Sequence, residues 1–135
     1  MWPGGMVMGD NYCFGCSPNN PAGLHLHFWR EGECEVTEFT PLKEHQSYDG
    51  VCHGGLVSTV MDELFGNHLK SLGVFPAVTG RLSIRFRGSV PIGQKIRFVS
   101  RILKSKGRLY EMEGWAELPG GQKLVECTAQ MMKGA

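Results

Sequence analysis

Across residues 56–72 the apolar side chains of Leu56, Val57, Val60, Met61, Leu64, Phe65, Leu69 and Leu72 fall three or four positions apart. That spacing lays them on one broad face of a helix. It is the only strong helical period in the chain, so the fold must be arranged around a single long helix, roughly 25 Å at 1.5 Å per residue. His53-Gly54-Gly55 stands at its start, and Gly73 stands where a C-terminal cap suits.

Everything after the helix reads at a period of two. Leu82, Ile84 and Phe86 alternate with Arg81, Ser83, Arg85 and Arg87, and Pro91-Ile92-Gly93 supplies a turn. Further strands are expected over about 94–105, 108–118 and 123–132, separated by turns at Lys106-Gly107 and Pro119-Gly120-Gly121. Ahead of the helix, Leu24, Leu26 and Phe28 alternate with His25, His27 and Trp29. Gly32 then interrupts, and Cys34–Phe39 resumes the alternation as the second arm of a hairpin. Residues 1–23 are rich in Gly, Pro and Asn and read as an irregular N-terminal segment, leaving 24–133 as one domain. Six strands and one helix predict an α+β architecture, an antiparallel sheet of about six strands wrapped around one long central helix. The edges and outer face of such a sheet favour at least a dimer, with Lys95, Arg97 and Arg101 as charges available to guard an edge.

Composition narrows the function. Hydrophobic residues at 41% and charged residues at 20% describe a folded chain. Fourteen Lys and Arg against thirteen Asp and Glu give a net charge of +1, so no bulk attraction to nucleic acid or an anionic membrane is expected, and any anion site must be local. Met1-Trp2-Pro3-Gly4-Gly5 lacks a secretory pattern, and no apolar run approaches the roughly 18 residues of a membrane span, so a cytoplasmic location is expected. Five cysteines form an odd set and are expected to be thiols. Cys13 and Cys16 have ligand-like spacing, but one pair supplies two of the about four ligands of a closed zinc site unless symmetry brings two pairs together, so a turn with buried or semi-buried thiols is expected and no metal is assigned. His25 and His27 have strand spacing, which alone does not make a metal centre.

The stretch His53-Gly54-Gly55-Leu56-Val57-Ser58-Thr59-Val60-Met61-Asp62-Glu63 resembles the signature of the phenylacetyl-coenzyme A thioesterase-like branch of the hotdog superfamily. Further matches are Thr79-Gly80-Arg81-Leu82-Ser83-Ile84-Arg85-Phe86, the Val90-Pro91-Ile92-Gly93 turn, and Cys13-Phe14-Gly15-Cys16 followed by Asn20-Pro21-Ala22-Gly23-Leu24. The resemblance implies a hotdog fold and hydrolysis of an acyl-coenzyme A thioester, in a homodimer or a dimer of dimers with each active site at the interface. It implies that the backbone amide of Gly54, with Gly55 adjoining, polarises the thioester carbonyl, and that Asp62 is nucleophile or general base. Members of this group often carry an asparagine six positions before the signature histidine. Ser47 stands there, with Gln46 as a neighbour in its stead.

The chemistry is coherent on its own terms. Thioester hydrolysis develops negative charge on the carbonyl oxygen, and free amides at a helix start supply donors at the positive end of a dipole. A carboxylate two turns on can attack or draw a proton from water if it projects into the same cleft. Asp62 and Glu63 flank opposite sides of the apolar stripe, so amphipathicity does not choose between them; the family position selects Asp62. His53 is a candidate donor or a holder of the loop, and Cys52 beside it reads as packing. The substrate-binding candidates are Gln46, Ser47, Glu63, Thr79 and the basic series Arg81, Arg85 and Arg87, which suits coenzyme A phosphates or a solvated face. Leu56, Val60, Phe65, Trp29, Trp115 and the other aromatics of the expected strands are candidates for an acyl pocket or simply for the core. A small to medium acyl group is expected, the resemblance including an aromatic one, and coenzyme A is part of the substrate, with no separate cofactor. The alternative is a non-catalytic acyl-coenzyme A binding or regulatory protein, since one fold hosts both.

Overall fold

In the computed structural model, which describes residues 11–134, the helical period becomes one helix, α1, spanning Gly54–Ser71. The His53 ring opens it by accepting a 2.9 Å hydrogen bond from the Gly55 amide, the capping task usually given to Ser, Thr, Asp or Asn. It closes on Gly73, whose φ of 81° is open to glycine at little cost. There the Gly73 amide bonds the Lys70 carbonyl at 3.0 Å and the Val74 amide bonds that of Leu69 at 2.9 Å, the paired bonds of a Schellman turn.

Six strands follow the alternating segments: β1 (Phe28–Glu31), β2 (Cys34–Phe39), β3 (Ala77–Phe86), β4 (Ile96–Lys106), β5 (Leu109–Glu117) and β6 (Lys123–Lys133). They form one antiparallel sheet in the order β1-β2-β4-β5-β6-β3. The expected hotdog architecture is present: the sheet curls around α1, and Val57, Val60, Met61, Leu64, Phe65 and Leu69 of the helix are fully buried against Phe98, Met112, Ala116, Val125 and Met131 of the strands. Gly114 of β5 lets the helix come this close, since a Cβ there would lie 2.3 Å from Met61 Cε, 3.0 Å from Phe65 Cζ and 2.9 Å from the Val99 carbonyl oxygen.

Polar groups under the sheet are satisfied locally. His68 of α1 is 1% exposed, and its Nδ1 lies 2.8 Å from Ser100 Oγ of β4. Beside it Arg30 donates to Ser71 Oγ at 2.5 Å and approaches the buried Glu35 carboxylate at 3.5 Å. Burial raises the Glu35 carboxyl, with Arg30 acting against it.

Two expectations need correction. Alternation at 24–27 does not make strand: β1 begins at Phe28, His25 takes a φ of 54°, and the Leu24 and Leu26 amides bond the Phe14 and Gly15 carbonyls at 2.7 and 2.9 Å. The alternate leucines there face the core because the chain lies over the Cys13–Cys16 turn, without sheet pairing. Lys95, Arg97 and Arg101 guard no edge, because β4 sits between β2 and β5, and they pair across it with Glu38, Glu31 and Glu113. The edges are β1, four residues long, and β3, ten residues long. Residues 1–10 of the expected irregular segment lie outside the described residues.

Candidate active site

The helix start divides two neighbouring glycines between two tasks. Gly55 gives its amide to His53 Nδ1, so His53 holds the turn, and its exposed ring carries its proton on Nε2. The Gly54 amide, at the first helical position, has no partner among the described residues. It is the free donor at the positive end of the α1 dipole. A Cβ on Gly54 would lie 3.3 Å from Phe86 Cζ, so only a glycine leaves that approach fully open.

Around it is a cleft of about 420 Å³ lined by Ser47, Tyr48, Val51, Cys52, Gly54, Phe86 and the 87–90 segment. Two aromatic side chains stand at its mouth, Phe86 with 48% and Tyr48 with 84% of its surface exposed. Of the proposed acyl contacts, Val60 and Phe65 are fully buried core. Trp29 is on edge strand β1, with its indole donating to Glu31. Trp115 faces a polar groove on the outer side of the sheet with Lys123 over its ring. The aromatic side chains that line the cleft beside Gly54 are instead Phe86, one of the aromatics of the expected strands, and Tyr48, which the sequence did not single out. Leu56 is half-buried against the core.

Asp62 is half-buried, and Thr79 Oγ1 of β3 donates a short hydrogen bond to its Oδ1. The threonine thus orients one carboxylate oxygen and leaves the other without a partner among the described residues, the arrangement a general base or nucleophile needs. Glu63, one residue on, turns elsewhere: its Oε1 accepts from the Cys13 thiol at 3.2 Å. Gln46 Oε1 accepts from the Gly50 amide, and Ser47 bonds the Val51 carbonyl, so both shape the loop before the helix. Arg81 and Arg85 line grooves on the outer face, and Arg87 pairs with Glu126 at 2.9 Å, so these arginines are spread along an edge. Cys52 is buried, which pushes its thiol up to about 11 and keeps it protonated and inert as a nucleophile at neutral pH. Cys127 is held still higher, at about 12, by burial and then by the Asp62 charge.

Comparison with known proteins decides the family. Residues 49–125, which include the loop, α1, β3, β4 and β5, match the family described as Thioesterase superfamily. The chain belongs to the thioesterase superfamily. A curated relative from Candida albicans, named an uncharacterized mitochondrial protein, is 34% identical over 92 residues, covering 67% of this chain and 41% of that protein. The chain thus spans less than half the length of that relative. Among solved structures, the thioesterase superfamily protein RHA08564 superimposes with a TM-score of 0.82 at 18% identity, over 90% of this chain and 60% of its own. The smu.793 protein from Streptococcus mutans, bound to acetyl-coenzyme A, gives a TM-score of 0.73 at 19% identity over 82% of this chain and 89% of its own. As a thioesterase-superfamily chain it has the superfamily's sheet and central helix, and no helix among the described residues is long and apolar enough to cross a membrane.

Proposed function

We propose that this chain is an acyl-coenzyme A thioesterase that works as a homodimer, in which Gly54 of one copy polarises the thioester carbonyl and the partner's Asp62 activates water or attacks. The observation that carries the reading is the Thr79 hydroxyl bound to Asp62, which fixes a carboxylate on the same helix whose first amide is free. Eight residues separate the two groups, about 12 Å along a helix axis. One chain therefore does not bring them to a single carbonyl, and a second copy supplies the missing half. The long unpaired edge of β3 carries Thr79 and is the natural seam.

In this mechanism the carbonyl oxygen draws toward the Gly54 amide as it gains negative charge, helped by the helix dipole. Asp62, oriented through Thr79, takes a proton from water or forms the acyl intermediate itself. The cleft beside Gly54, with Phe86 and Tyr48 at its mouth, receives a small to medium acyl group, including an aromatic one of the phenylacetyl type. The arginines of β3 and the segment after it, Arg81, Arg85 and Arg87, are the phosphate contacts proposed for the coenzyme. That a protein of the same fold holds acetyl-coenzyme A supports this substrate class.

The test is thiol release from acetyl-, hexanoyl-, palmitoyl- and phenylacetyl-coenzyme A. Acetyl, hexanoyl or phenylacetyl thioester should give the highest kcat/KM, and Asp62→Asn should lower kcat by about 100-fold or more while leaving assembly intact. Palmitoyl preference would reject the small pocket. Tight binding with no thiol release for any of the four would make the chain an acyl-coenzyme A binding protein.

A further inference from the structure

Apart from the candidate active site, one cluster of chemistry-bearing side chains stands out. The turn from Cys13 to Cys16 folds against the face of α1 that presents Glu63, 50 residues away in sequence. One ligand-capable atom from each of Cys13, Cys16 and Glu63 lies within 4.8 Å of the others, and among the described residues this is the only group of three that could hold a metal ion. All three are half-buried.

The turn is built to reach this position. Ser17 bonds back to the Cys13 carbonyl at 3.0 Å, and Phe14 and Gly15 are pinned by the Leu24 and Leu26 amides. A Cβ on Gly15 would fall 2.2 Å from Glu63 Cγ and 2.6 Å from its Oε1, so the backbone of the turn lies directly against the Glu63 side chain, which would have to move for any larger residue. Glu63 forms no ion pair among the described residues, whose acidic groups in ion pairs are Glu31, Glu35, Glu38, Glu111, Glu113 and Glu126. Two sulfurs and a carboxylate thus converge, and no basic side chain among the described residues pairs with the carboxylate.

We propose that Cys13, Cys16 and Glu63 bind a borderline-soft divalent cation of the zinc class, which staples the segment before β1 onto α1 next to Asp62. Two thiolates and a carboxylate are donors such an ion accepts, and three protein ligands leave the fourth tetrahedral position to solvent. Zinc–sulfur bonds of about 2.3 Å set ligand atoms about 3.8 Å apart around a tetrahedron. The cluster reaches that spacing by small side-chain rotations, with Cys13 Sγ and Glu63 Oε1 at 3.2 Å. Binding converts each thiol to a thiolate and releases one proton from each, and no electron moves.

Cobalt(II) reports on such a site independently of turnover. Titrated into the metal-stripped, reduced full chain, it should bind once per chain and give a thiolate-to-cobalt charge-transfer band with the visible bands of tetrahedral coordination, both abolished by added zinc. Cys16→Ser should remove about half the charge-transfer intensity, one of two thiolates. Glu63→Gln should keep the thiolate bands and weaken binding by at least about tenfold, the loss typical of groups one shell further out. No charge-transfer band in folded wild-type protein at excess cobalt overturns the proposal, whatever the variants do. An affinity unchanged in Glu63→Gln, or a band unchanged in Cys16→Ser, overturns it as well by placing the ion elsewhere.

Discussion

At the scale of single residues, the group whose protonation the fold changes most plainly is His68. It lies on the buried side of α1 with Nδ1 on Ser100 Oγ, and burial, followed by the Arg30 charge, holds its pKa near 4, down from 6.5. The folded chain therefore binds fewer protons than the unfolded chain between those values, so stability rises with pH across that window. His68 contributes in full above its unfolded pKa of 6.5 and loses the contribution as pH falls toward 4. The whole difference is about 3 kcal/mol. Urea unfolding at one protein concentration should show wild type losing about 2 kcal/mol more than His68→Gln between about pH 7 and 4.5, because glutamine can bond Ser100 and does not titrate. Parallel pH profiles for the two proteins would remove His68 as the cause.

At the scale of elements, the closeness of α1 to the middle of the sheet depends on Gly114. Met61 Cε can move away from an added methyl group, but the Val99 carbonyl is fixed in the β4 ladder, so Gly114→Ala should cost about 2 kcal/mol in denaturant unfolding. Gly66, inside α1 with nothing within 4 Å of an added Cβ, gives the contrast: Gly66→Ala should gain about 0.5 kcal/mol or more. If both alanines destabilised equally, close packing at Gly114 would not be the reason. The same elements show how far the sequence could be read. The helix and the four strands after it were legible because 3.6 and 2 are different periods and each ran long enough to register. The alternation at 24–27 misled because a chain draped over a turn also presents alternate side chains inward. Strand order was invisible to periodicity, so Arg97 and Arg101 looked fit for an edge when they lie in the interior of the sheet. Gly54 and Asp62 could be singled out because the segment that resembles a family signature runs unbroken from His53 to Glu63. Thr79 on Asp62, Phe86 over Gly54 and Cys13 on Glu63 join positions 17, 32 and 50 apart, and contacts between elements carry no local signature.

At the scale of the whole molecule, the separation of Gly54 from Asp62 makes a claim that single variants do not test. If each site takes its amide from one copy and its carboxylate from the other, two different inactive chains should repair one another. Gly54→Pro removes the amide hydrogen with little harm to the helix: proline is favoured at a first helical position, and His53, with φ −58° and ψ 128°, already has the extended backbone that precedes a proline. The Phe86 ring, 3.3 Å from a Cβ at Gly54, is the flexible end of its side chain and can swing aside. Alone, Gly54→Pro and Asp62→Asn should each be nearly inactive. Co-expressed in equal amounts and assorting at random, half the dimers are mixed, and in each of these one site carries both defects while the other carries neither. Activity should return to about a quarter of wild type, and to about half in mixed dimers isolated through two different tags. Mixed dimers as inactive as their parents would place the amide and the carboxylate of each site in one chain, against the 12 Å or so of helix between them.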